Sequence, residues 1–408
     1  MLGRGIPDSA FVRVVREDPA RKGLLYAGTE TGVHVSFDDG GTWQPLQLNL
    51  PVVPITDLAV QGSDLVAATQ GRAFWILDDL SVIRQLNAQA SSAAVHLFQP
   101  RETYRIRTGG GGGGGVVSAV GQNPQPGVVI SYVLKEVPAD GVSLEVLDKA
   151  GKTIRTFRSR ENAAGERGNE RRAFLGPPPS RSMVPAEPGL NRFEWDMRYP
   201  DATLPPPGTN LFGASVRGPQ AVPGTYQVRL TAGGKTMTQT FEIKKDPRTS
   251  TTPEEFEKQF NLLMQIHDRL TAAHNAIAEI IAARADLRSA VARAERTPAA
   301  AAIAALGKTL DASLASVQDE LVQMNIREGN DVLTYPAKLN NLIAALAPVV
   351  AATDTAPTAQ SYEVFKDLSA RLDRQLERLD GIMAREVAAF NQAAEEHHVA
   401  AIPTRPRR

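Results

Sequence analysis

The 408-residue chain balances 45 Lys and Arg against 45 Asp and Glu, with 42% hydrophobic residues and a pI near 7.1, the composition of an ordinary globular protein. That balance argues against a nucleic-acid binder, which needs a basic face. The complete lack of cysteine excludes disulfides, thiol catalysis and Cys-ligated zinc. The first eight residues show no apolar h-region of a signal peptide. No run is expected to reach the ~18 apolar residues of a membrane span.

The strongest signal is an internal repeat. Residues 24–39 read LLYAGTETGVHVSFDD and residues 64–79 read DLVAATQGRAFWILDD. Superposed without a gap, Ala27 meets Ala67, Thr29 meets Thr69, and Asp38-Asp39 meets Asp78-Asp79. Each copy has a short apolar strand, a Gly-containing turn and a second strand, which predicts a repeated hairpin. The spacing of 40 residues suits a propeller blade.

The first copy continues through Ser36, Asp38, Gly40, Thr42 and Trp43, filling every fixed position of S-x-D-x-G-x-T-W. Asp and Ser side chains can bond the turn backbone, Gly takes a positive φ, and Trp packs beneath the hairpin. On these residues the region resembles Asp-box (BNR) propellers, the group that holds sialidases, xyloglucanase-like glycosidases and sortilin-type propellers. The box itself reads as structural. The resemblance implies a ligand face at the opposite hairpin loops, where Glu30, Gln70 and Arg72 are the candidates. An Arg there could clamp a carboxylate or sugar hydroxyls; its plain reading is a solvated turn. Two blades cannot close a ring, so further blades are expected upstream, in the same gene or a separate chain.

After Pro100 come seven consecutive glycines, Gly109 to Gly115, without the Lys-Ser/Thr of a phosphate-binding loop, which predicts a flexible linker over 99–126. Strands are expected over 128–133, 142–147, 153–157, 191–198, 224–230 and 236–243, with a mobile excursion over 158–190. Roughly seven strands over this span suit an immunoglobulin- or fibronectin III-like sandwich over 127–247. Residues 188–200 and 222–226 resemble the sandwich that follows such propellers in bacterial proteins loosely described as glycosyl hydrolases. Glu194 and Asp196 share a strand face, and a surface ion-pair role is the simpler reading of them.

Thr252-Pro253-Glu254-Glu255 is a capping box with Pro at the first helical position. Phe256, Phe260, Leu263, Leu270, Ile277 and Ile281 then form a seam, which His267 and His274 share. Seven residues apart, those two histidines lie ~10 Å apart along a helix, too far to chelate one ion. A helix restarting at Thr297 is expected to stop near Gly329, with others opening at Pro336 and Pro357. The last carries Leu368, Leu372, Leu376, Leu379, Met383, Val387 and Phe390 at helical spacing. Glu395 to His398 and the basic stretch 404–408 read as solvated ends.

The expected fold is therefore multi-domain: two incomplete all-β propeller blades (1–98), the linker (99–126), the β-sandwich (127–247) and an all-α helical bundle (252–400). The resemblance implies an extracytoplasmic bacterial protein. No catalytic residues, metal site or cofactor can be assigned. Two functions stay open: a non-catalytic C-terminal binding and assembly portion that recognises glycan or protein, or the C-terminal part of a glycoside hydrolase, sialidase- or xyloglucanase-like, whose catalytic blades lie elsewhere. The expected partners are upstream blades and a glycan or protein ligand, with self-association through the helices a further option.

Overall fold

The computed structural model describes residues 4–106, 126–159, 183–209, 211, 214–326, 331 and 333–403. The Gly run and most of the expected excursion, together with Gly329 and the basic tail, lie outside the described residues. The chain divides into two compact units, Met1–Asp196 with Gly224–Asp246, and Met197–Pro223 with Pro247–Arg408.

In the first unit, β1 (Val12–Glu17), β2 (Leu25–Thr29), β3 (Val33–Ser36) and β4 (Gln44–Pro45) form one antiparallel sheet in chain order. The second repeat copy gives β5 (Ile55–Gln61), β6 (Asp64–Thr69) and β7 (Phe74–Leu77), a sheet of three strands. The repeated hairpin is present in both sheets, but the second lacks the fourth strand of the first. Where the first copy reads Gly40-Gly41-Thr42-Trp43, the second reads Leu80-Ser81-Val82-Ile83. Leu80 is fully buried and leads into a short helix, α1 (Ser81–Gln85), instead of a fourth strand. The two sheets share one core, in which Tyr26, Val35, Ile55, Leu58 and Leu65 are all buried. Gly28 is required there, because a Cβ would lie 2.7 Å from Ile55 Cγ2 and 2.8 Å from Val14 Cγ1.

A second short helix, α2 (Ala88–Ser92), leads to β8 (Val95–Leu97) and β9 (Thr103–Arg105). These small strands were hidden in the expected first domain and linker, yet both join sheets made by later strands. β8 pairs with β10 (Val128–Leu134), which pairs in turn with β13 (Gly189–Trp195). The five-stranded sheet runs β12 (Thr153–Arg158), β11 (Val142–Leu147), β14 (Gly224–Ala232), β15 (Lys235–Lys245) and then β9, which lies parallel to β15. Alternation along β14 buries Tyr226, Val228, Leu230 and Ala232. Fully buried Trp195 meets Tyr226 and Phe241 edge-on, with ring centroids 6.0 and 6.2 Å away.

The second unit is dominated by α3 (Pro253–Ala294), 42 residues long. The expected capping box is present: Thr252 Oγ1 accepts from Glu255 N, and Glu255 Oε2 accepts from Thr252 N. Phe256, Leu263, Leu270 and Ile277 are buried, while Phe260 and Ile281 are half-buried. Then come α4 (Ala300–Leu321), α5 (Leu339–Val350), α6 (Ala359–Gly381), a π-helical turn (Ile382–Val387) and α7 (Ala388–Glu396). α4 stops well short of Gly329. Val322 is extended at φ −145, and the Gln323 side chain accepts from Asn325 N, bonding that competes with further helix.

By length and composition α4 could cross a membrane, which corrects the expectation that no segment approaches that length. Its Ile303, Leu310, Leu314, Val317 and Leu321 line the core of this unit, and its Asp311 receives both Arg284 Nε (2.7 Å) and Nη2 (2.9 Å). One face of α4 thus packs into the core of this unit. Residues 197–223, expected within the sandwich, belong to this helical unit, and Ala202, Leu211, Ala214 and Val216 pack into its core.

Candidate functional site

The Asp-box turn is assembled as its residues predict. Ser36 Oγ donates to Asp38 Oδ1 (2.8 Å) and accepts from Gly40 N (2.9 Å). Thr42 reaches Asp38 through both its N–H (2.8 Å to Oδ1) and its hydroxyl (2.7 Å to Oδ2). Bonds from Thr42, and then from Ser36, hold the Asp38 carboxyl down at about 2. Asp39 and Gly40 take positive φ, 58° and 86°. Trp43 is 7% exposed beneath the hairpin. The Ser36, Asp38 and Thr42 side chains thus bond within their own turn.

The three loop candidates lie at the other end of the hairpins, Glu30 in the β2–β3 turn and Gln70 and Arg72 in the β6–β7 turn. Glu30 is ion-paired with Arg13. Gln70 N donates to Pro54 O, and the Arg72 carbonyl accepts from Trp75 Nε1. Gln70 and Arg72 are exposed. No hydrogen bond or ion pair among the described residues joins Glu30 to either of them, so the fold does not gather the three into one constellation.

Other titratable groups are similarly occupied. Asp78, half-buried, has its carboxyl pushed up by burial and then by Asp64. Beside it, Asp64 accepts from Asp79 N, and Arg101 lies 3.7 Å from Asp64 and 3.9 Å from Asp79. Glu194 accepts from Gly127 N, and Asp196 lies 3.6 Å from Arg155. His267 Nδ1 contacts Asp268, and His274 Nδ1 donates to the Thr203 carbonyl. Glu395 to His398 are exposed. Among the described residues no group of three or more metal-ligating side chains comes together.

What sequence reasoning missed is a cleft of about 440 Å³ at the Asp-box end of the hairpins. Arg21, from the β1–β2 loop, lines it with Arg84, Gln85, Leu86 and Asn87 from α1 and its exit, His96 from β8 and Gln239 from β15. Arg21 Nη1 donates to the carbonyls of Ile83 (3.0 Å), Arg84 (3.1 Å) and Leu86 (2.7 Å), tying down the C-terminus of α1. Its guanidinium lies over the Phe37 ring, 5.4 Å from the centroid. Arg84 Nε sits 3.0 and 2.9 Å from the two oxygens of Asp18, whose side chain is wholly buried, and Arg84 Nη2 donates to Gly62 O. Asp18 also accepts from Tyr26 Oη, and burial followed by that carboxylate pushes the phenol up. Burial lowers the His96 imidazole. No local motif announces this cleft, because its residues come from separate stretches that only the tertiary fold brings together.

Compared with known proteins, the chain matches no family model, and no curated protein matches it significantly.

Proposed function

We propose that this chain is a non-catalytic binding and assembly portion of an exported Asp-box propeller protein, contributing two propeller blades, an immunoglobulin-like sandwich and a helical bundle, and recognising glycan or protein. The observation that carries this reading is a set of exposed apolar side chains at two sheet-terminal strands. At β1, Phe11 is 61% exposed and Val12 and Val15 nearly half exposed, and on β7 Phe74 is 74% and Ile76 57% exposed. Both strands are sheet edges. Natural proteins cover or blunt such edges, so these flanks suit neighbouring blades or a partner chain. The self-satisfied Asp-box supports the blade reading as well.

The test is enzymatic and binding together. The purified chain is incubated with sialosides, xyloglucan oligosaccharides and aryl glycosides, and the same preparation is screened on glycan and protein arrays. Binding without turnover is expected. Glycoside hydrolysis needs two carboxylates placed across the scissile bond. Turnover that disappears in Glu30→Gln or Asp78→Asn would reveal a working site and overturn the reading.

A further inference from the structure

The geometry points to the cleft beside Arg21 and Arg84 as a binding site for an acidic saccharide, one carrying a carboxylate or sulfate ester on one or two sugar rings. This inference rests on the binding reading above and gives it a location and a ligand class. The site lies at the Asp-box end of the hairpins, opposite the loops that hold Glu30, Gln70 and Arg72.

The argument begins with charge. Arg84 is neutralised by buried Asp18, whereas Arg21 has no carboxylate within ion-pair distance among the described residues and leaves its positive charge facing the cleft. Hydrogen-bond capacity points the same way. Arg21 uses only Nη1 on carbonyls, and Arg84 only Nε and Nη2, so Arg21 Nε and Nη2 and Arg84 Nη1 keep unspent N–H groups. Both guanidinium groups are already fixed by their carbonyl and carboxylate partners, so little side-chain entropy is lost when an oxyanion arrives.

The rest of the wall suits hydroxyl groups. Asn87 caps α2 by accepting from Ala90 N with Oδ1 (2.8 Å), which leaves its Nδ2 as a donor. Gln239 Nε2 donates to Leu97 O, which leaves its Oε1 as an acceptor. His96, its imidazole pushed down by burial and held edge-on to Phe98, offers its ring nitrogens to hydroxyl groups. Gln85 is spent on Ser81 O, Gln99 O and Gln99 N and serves as wall. About 440 Å³ falls within the range of small-ligand sites, roughly 300–1,000 Å³. Leu86 is the one aliphatic residue in the lining, and the other six side chains each carry hydrogen-bonding groups suited to sugar hydroxyls and an anion.

The decisive variant is Asn87→Asp, which keeps a good helix cap while replacing the free donor by a negative charge inside the cleft. Calorimetric titration of the full chain uses four probes: a glucuronate-containing disaccharide, a sulfated disaccharide, a neutral disaccharide and inorganic sulfate. The charged disaccharides are expected to bind at least tenfold more tightly than the neutral one. Their binding should weaken as salt is raised, since an exposed charge pair is screened. Asn87→Asp, with an unchanged melting temperature, should lose at least tenfold. Whichever charged disaccharide binds better identifies the anion.

Three outcomes overturn the inference. Charged-sugar binding that Asn87→Asp leaves intact places the ligand elsewhere and leaves the broader binding reading standing. Inorganic sulfate binding as tightly as the sulfated disaccharide removes the saccharide from the assignment. Failure of every probe to bind removes the cleft altogether, and the array screen then decides the broader reading independently. A second variant, Gln239→Ala, should weaken both charged and neutral sugars while leaving inorganic sulfate unaffected.

Discussion

Residues 24–43 and 64–83 start from the same hairpin and finish in different structures. In both, two short strands pair antiparallel and the second of two aspartates takes a positive φ, 58° at Asp39 and 71° at Asp79. The first copy then closes its turn with Ser36, Gly40 and Thr42 around Asp38 and adds β4 over buried Trp43. In the second, Ile76, Leu80 and Val82 stand at those positions, and the chain coils into α1. The repeat position held by His34 is buried in the first copy, while its counterpart Phe74 is exposed, the inverse of ordinary preference. A shared hairpin therefore settles only the hairpin. The residues after it differ between the copies, and the packing around them, with Leu80 buried in the shared core, decides between strand and helix.

The sharpest way to break this comparison is Trp43→Ala. Loss of the buried aromatic under the turn should cost ~3–5 kcal/mol locally, whereas Trp75→Ala in the half-buried second copy should cost about 1 kcal/mol. Hydrogen exchange of the two sheets measures each cost separately, and equal costs would dismiss Trp43 as the hairpin plug. Next comes Leu80→Ala, which should cost about 2–5 kcal/mol because Leu80 is wholly buried in the core shared by the two sheets. For the same reason the combined changes Leu80→Gly, Ser81→Gly, Val82→Thr and Ile83→Trp should destabilise the second sheet. Appearance of a stable fourth strand there would show that the turn sequence acts alone.

Two smaller effects separate the ends of the first copy by pH. Burial lowers the His34 imidazole, and its Nδ1 has no partner. The unfolded chain then binds a proton more readily, so stability is present above the ordinary value near 6.5 and is lost as pH falls below it. His34→Gln should flatten that loss, as followed by amide exchange in β3. Asp38 responds further down. Its carboxyl is held at about 2, so its contribution is complete above the unfolded value near 4 and disappears as pH drops toward about 2. Protection of the Thr42 amide between pH 5 and pH 2 reports it, and Asp38→Asn should remove the titration. A Thr42 amide indifferent to pH in the parent would sever Asp38 from the turn.

Much of the local architecture is legible in the sequence. The Asp-box hydrogen bonds, the capping box at Thr252 and the alternation along β14 are short-range patterns, and each appears where its residues placed it. The α3 seam was legible as well, although its buried surface also takes in Leu262, Ile266 and Ile280. The end of α4 was not legible, because no Gly or Pro marks Leu321, and the helix gives way to side-chain bonding at Gln323.

Sequence alone determined the paired hairpins, the self-satisfied Asp-box turn, the strands from Val128 to Lys245 and the long C-terminal helices, since these depend on neighbours a few residues apart. Tertiary structure decided the remainder. It placed β8 beside β10 and β9 beside β15, across separations that leave no periodic trace, and assigned residues 197–223 to the helical unit. It also drew Arg21, Arg84, Asn87, His96 and Gln239 around one cleft. A side chain's partners across the chain depend on how whole sheets pack, and that packing energy is shared among many residues that individually look ordinary.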